Sequence, residues 1–138
     1  MNKVQFYGKT SDVMIKIPKT VQKTALYAFK LKDLGFKGGK ETGWKRAKQL
    51  STKEYIPIED LQFMYRWFSR HLYTSFPSYL KWKNNGKPET KEWYNVRGII
   101  SWLIWGGDVA FKWINSKKNI NLLNKHFDKN YTQKSLDM

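Results

Sequence analysis

The sequence predicts a mainly α, compact single domain of about four to six helices with long loops, preceded by a short strand or arm. Three observations predict it. Apolar residues recur at helical intervals in two long stretches, Leu61–Leu72 and Val96–Ile104. Glycines and prolines punctuate the chain where those intervals lapse. An aromatic content of 17% is far above that of a disordered basic tail, so the chain has the apolar area to build a core. The expected organisation is an arm or strand over residues 1–17, a helical domain over 18–129 and a loose tail over 130–138.

In chain order, Asp12–Ile17 alternates weakly and closes on Pro18, which suits a short extended segment. Thr20 is placed to cap a helix that Gly35 stops near Leu34, with Ala25, Leu26, Phe29 and Leu34 as an approximate stripe. FKGGKETG follows as a connector. Thr42 then caps a short helix, GWKRAKQL, ending near Ser51. After Pro57, Leu61, Met64, Tyr65, Phe68 and Leu72 form a firm amphipathic helix, with Glu59 and Asp60 in its first turn favoured by the helix dipole. A turn-rich segment carries a short helix around Tyr79–Lys83. Val96, Ile99, Ile100, Leu103 and Ile104 mark the most apolar helix. Gly106–Gly107 breaks it or admits close backbone approach, and Asp108 is placed to cap the next helix, VAFKWINSK. Ile120, Leu123 and Phe127 suggest a last one.

Charge narrows the partners. Twenty-six Lys and Arg against eleven Asp and Glu give a formal +15, spread along the chain rather than gathered in an arm. Such a field favours nucleic acid first, and an anionic membrane surface or acidic protein second. Lys among many Asn also fits the plain composition of AT-rich coding. With no cysteine, disulfides, thiolate metal sites and cysteine nucleophiles are excluded. The N-terminal residues hold no apolar leader core, and the longest apolar run, Ile99–Trp105, already contains Ser101. A protein that is not secreted and has no membrane span is expected.

Catalytic signals are weak. The two histidines are His71, beside Arg70 and one turn from Arg66, and His126 in a Lys-rich helix. His71 with the arginines suits a phosphodiester, although a histidine at a helix end also serves to bond its last carbonyls. Ser69, His71 and Asp108 assemble into a triad only on paper. No clustered carboxylates, metal-ligand spacing or glycine-rich phosphate loop appears, so neither metal nor cofactor is expected. Lys45, Arg46 and Lys48 beside a glycine loop make a reasonable phosphate site, and Trp44, Trp82 or Trp93, where exposed, would stack on bases. In WLIWGGDVAFKW a core-forming corner is the favoured reading. The lesser one has Asp108 orienting Arg70 or His71 across a pocket.

Taken in order, GGKETGWKRAKQL, DLQFMYRWFSRHLYTSFPSYLKW and RGIISWLIWGGDVAFKWI resemble a family of small proteins of large nucleocytoplasmic DNA viruses, giant viruses included. A shorter pattern, G-x-x-R-A-x-x-L, R-M-x-x-F-x-R-H and W-x-x-W-G-G-D, is similar to one in tailed phages, often near or fused to head proteins. The resemblance spans Pro18–Asn115. It rests on Gly43, Arg46, Ala47, Leu50, Met64, Phe68, Arg70, His71, Trp105, Gly106, Gly107, Asp108 and Trp113. Phe63 stands where the phage pattern has Arg, so no role of that Arg transfers. The resemblance implies a viral protein of the virion or infected cell; it brings no activity with it. The function expected first is nucleic-acid binding, DNA before RNA, through the phosphate backbone by Lys45, Arg46, Lys48, Arg66, Arg70 and His71. A minor capsid protein meeting acidic coat or core proteins comes second. A nucleic-acid-processing enzyme centred on His71 and Asp108 comes third.

Overall fold

A computed structural model describes residues 13–136. Among them are seven α-helices, one more than the upper expectation, together with one two-stranded sheet. Strand β1 (Met14–Lys16) pairs antiparallel with β2 (Tyr55–Pro57), with Ile15 opposite Ile56. Further bonds from the Ile17 amide to Glu54 O and from the Ile58 amide to Val13 O extend the pairing. The ribbon ties residues 13–17 to the start of the third helix, residues 1–12 of the expected arm lying outside the described ones.

Helix α1 (Lys19–Leu34) begins directly after Pro18, whose fixed φ suits a helix entry, so the Thr20 cap is not used. Its buried face is Val21, Ala25, Ala28 and Leu31, at i, i+4, i+7 and i+10. The expected stripe is thus rotated: Leu26 and Leu34 lie exposed, because small alanines rather than leucines let the neighbouring helices approach. Gly35, at φ +123°, ends α1 and donates its amide to Leu31 O and Lys32 O. Helix α2 (Glu41–Thr52) likewise starts before Thr42, with Lys40 as its cap residue.

Helix α3 (Ile58–His71) buries Leu61, Met64, Tyr65 and Phe68 as the periodicity predicts, and adds Trp67. Helix α4 (Ser75–Asn84) is longer than expected. A single 3-10 turn at Lys91–Trp93 precedes α5 (Arg97–Ile104), which packs against α1, α2, α4 and α6 and is buried nearly all round.

Gly106 (φ +105°) and Gly107 (φ +66°) turn the chain from α5 into α6 (Gly107–Ile114). A Cβ on Gly106 would lie 2.4 Å from Ala110 Cβ, so the turn demands glycine on two counts. This is the corner expected of WLIWGGDVAFKW. Trp102 is fully buried among Phe68, Phe76, Tyr79 and Phe111, with ring centroids 4.8–6.3 Å away.

Helix α7 (Lys117–Phe127) is capped by Ser116, whose hydroxyl accepts from the Asn119 amide. Residues 130–136 depart from the loose tail expected. Asn124 exchanges two hydrogen bonds with the Tyr131 backbone, and Asn115 accepts from the Lys134 amide at 2.8 Å. The Tyr65 hydroxyl donates to Thr132 O, and the Tyr131 ring packs 4.5 Å from that of Tyr65. Side-chain amides and aromatics hold this segment where regular backbone pairing does not.

Candidate nucleic-acid interface

A groove of about 660 Å³ opens between α2, α3 and α5. Its floor begins with Gly43, where a Cβ would meet Ile104 Cδ1 at 2.4 Å; the glycine lets α2 lie against α5. One turn on, Arg46 points inward. Its guanidinium lies 3.5 Å from Asp60, bonds Gln49 and sits over the Trp105 ring, 5.2 Å from the centroid. Asp60 is 1% exposed and also accepts from Gln49 Nε2 at 2.7 Å. A buried carboxylate needs such partners, and its place in the first turn of α3 adds the helix dipole.

From Arg46 a column of rings continues along the wall. Trp105 stacks on Trp67 with centroids 4.9 Å apart and planes within 11°. Trp67 in turn stacks on His71 at 4.4 Å and 25°. His71 Nδ1 lies 3.1 Å from the Thr74 hydroxyl, so the ring is set by Trp67 and Thr74 rather than by the carbonyls of its own helix. Desolvation, with Arg70 and Lys40 nearby, lowers the His71 pKa below its ordinary value and keeps the ring neutral at pH 7.

Around the rim stand Lys40, Arg66 and Arg70, all exposed, with Phe63 half-exposed among them. None of the three cations forms an ion pair among the described residues. Among the described residues the only acid in the groove lining is Asp60, which Arg46 already balances. On the far side of Arg66 and Arg70 lies a shallower groove of about 410 Å³, bounded by Tyr65, Ser69, Tyr131 and Lys134.

The sequence-predicted residues therefore separate. Arg46, Arg66, Arg70 and His71 line one groove, as do Gly43 and Trp105. Lys45 and Lys48 lie outside it on an exposed side of α2, and Lys45 pairs with Glu41 at 3.5 Å. Asp108 is elsewhere. It does not cap α6, since Gly106 is the cap residue; instead it accepts from Trp102 Nε1 at 2.8 Å and from Lys83 at 3.1 Å, in a pocket with Tyr79 and Lys112. The paper triad of Ser69, His71 and Asp108 is not assembled, and Asp108 orients neither Arg70 nor His71.

Trp82 is buried, and Trp44 and Trp93 are half-buried against the core. None of the three is an open stacking surface. Sequence reasoning missed Lys40 and Phe63 on the rim and Asp60 beneath Arg46. The signal for Asp60 was an acid beside a basic helix in a chain poor in acids, hidden by its ordinary role in a first helical turn. Among the described residues no group of His, Asp and Glu is placed to hold a metal ion, and no helix is long and apolar enough to cross a membrane. Compared with family models, curated proteins and solved structures, the chain matches none.

Proposed function

We propose that this protein binds nucleic acid through its phosphate backbone at the groove between α2, α3 and α5. One observation carries the reading: three exposed cations without ion-pair partners among the described residues, Lys40, Arg66 and Arg70, ring a groove in which the acid among the described lining residues, Asp60, is neutralised from within. Its volume falls in the range of small-ligand sites. Phosphate contacts of this type are worth more than surface pairs elsewhere because counterions are released from the polyanion. Arg46 shapes the wall while the rim residues grip. His71 adds a hydrogen-bonding group and, when protonated on binding, a fourth charge. The resemblance to small proteins of large DNA viruses, and to a phage pattern found near or fused to head proteins, supports a role with the virion or its genome.

Charge reversal tests it. In Arg66→Glu/Arg70→Glu, affinity for a labelled oligonucleotide falls by at least about 100-fold at low salt, because two attractions become repulsions. Lys45→Glu/Lys48→Glu, outside the groove, loses only the modest general attraction. If the α2 pair proves as damaging as the α3 pair, the groove is not the grip and the whole basic surface is.

A further inference from the structure

We infer that the strand taken by this groove is single-stranded, its bases stacking on two exposed aromatic side chains that flank the arginines. The inference rests on the phosphate-binding reading above and specifies its substrate. Phe63, Arg66 and Arg70 lie at i, i+3 and i+7, the spacing of one side of α3, and Tyr73 follows two residues past the helix end, in the turn towards α4. All four are exposed. Phe63 is 50% and Tyr73 73% exposed, the latter the most exposed of the large hydrophobic residues among those described.

Nothing in the packing calls for aromatic rings there. The opposite side of α3 already supplies the core through Leu61, Met64, Tyr65 and Phe68, and Phe63 and Tyr73 make no ring contact among the described residues. A duplex keeps its bases stacked on one another and offers only phosphate and groove edges to a convex helix. An aromatic, two arginines and a second aromatic instead match a chain whose phosphates and base faces are both accessible. That pairing of cationic groups with sequence-tolerant stacking is the chemistry of single-strand binding.

The two grooves fit this path. Arg66 and Arg70 belong to both, forming a ridge with the deeper groove on one side and the shallower one on the other. Phosphates on the ridge leave a base room to enter the deeper groove beside Phe63, Trp67 and Trp105. A neighbouring sugar or base then lies across the shallower groove towards Tyr131 and Lys134. Any base has a π face, so the site reads no sequence.

The test compares labelled poly-dT, poly-U and a duplex of equal length by fluorescence anisotropy at one salt concentration. The wild-type chain binds one or both single strands more tightly than the duplex. In Phe63→Ala/Tyr73→Ala single-strand affinity falls by roughly 5- to 150-fold per stacked base lost, while duplex affinity is unchanged. Both residues are exposed, so the fold survives, and Phe63→Trp/Tyr73→Trp restores or improves binding. Equal affinity for duplex and single strands overturns the inference, as does an aromatic variant that binds like wild type. In either case the phosphate grip at Arg66 and Arg70 still stands. Absence of binding to every oligonucleotide sinks the phosphate-binding reading itself.

Discussion

Replacing Asp60 by Asn isolates what the buried acid does. Asp60 and Arg46 have side-chain exposures of 1% and 12%, with 3.5 Å between charged atoms. Removing one partner of a fully buried pair costs about 3–5 kcal/mol, because the other charge stays desolvated. Arg46 retains some contact with solvent and keeps Gln49 and the Trp105 face, which lowers the expected loss to about 2–3 kcal/mol. With an unfolding entropy of about 2.1 cal/mol/K per residue, a chain of 138 residues then melts about 7–10 °C lower. Thermal unfolding by circular dichroism, with urea titration to check that the m-value is unchanged, measures it. Asp60→Leu/Arg46→Met, which removes both charges, should recover most of the loss. Nucleic-acid affinity of the Asn variant should not fall, since the groove loses a negative charge. A melting temperature within about 1 °C of wild type would refute the reasoning, for it would mean that Arg46 needs no counter-charge.

Three further outcomes are expected. Gly106→Ala combines a left-handed backbone with a 2.4 Å approach to Ala110 Cβ, so it should destabilise by about 2–4 kcal/mol in chemical denaturation. Deleting residues 130–138 strips Asn115, Asn124 and Tyr65 of hydrogen-bond partners; a melting temperature several degrees lower is expected, whereas no change would mark the segment as dispensable. The His71 pKa is lowered in the folded chain, so between that value and the unfolded value of about 6.5 the unfolded state holds more protons and stability declines as pH falls. Bound phosphate opposes this by favouring the imidazolium. Oligonucleotide affinity should therefore rise on acidification below about pH 6.5, and His71→Ala should flatten that rise.

Much of the fold was legible because it follows from periodicity. The stripe of α3 is unambiguous, with each of Leu61, Met64, Tyr65, Phe68 and Leu72 buried. In α1 the same reasoning was right for Ala25, which is fully buried, and for Phe29, which packs against the core, but wrong for Leu26 and Leu34, which weigh more on any hydropathy scale than Ala28. Close helix packing reverses that order. The tail read as loose because its residues are polar, yet two asparagines set in the helical body, Asn115 and Asn124, satisfy its backbone. The site was legible only in part. Arg66, Arg70 and His71 share a helix, so their proximity is local. Whether Arg46, Lys40 or Asp108 joins them depends on how α2 and α6 lie against α5, which the Gly43 and Gly106 contacts decide. Asp108 looked like a cap because it follows two glycines, but the positive φ at Gly106 starts the helix sooner and frees the carboxylate for Trp102 and Lys83.

The most direct test of the central claim is the salt dependence of oligonucleotide binding, wild type against Arg66→Ala/Arg70→Ala. The wild-type chain should show a linear fall of log affinity with log salt, and the variant a slope shallower by about 1.4 on a single strand, since each lost phosphate contact removes about 0.7. Identical slopes for the two proteins would contradict it, because the arginines at the groove would then touch no phosphate.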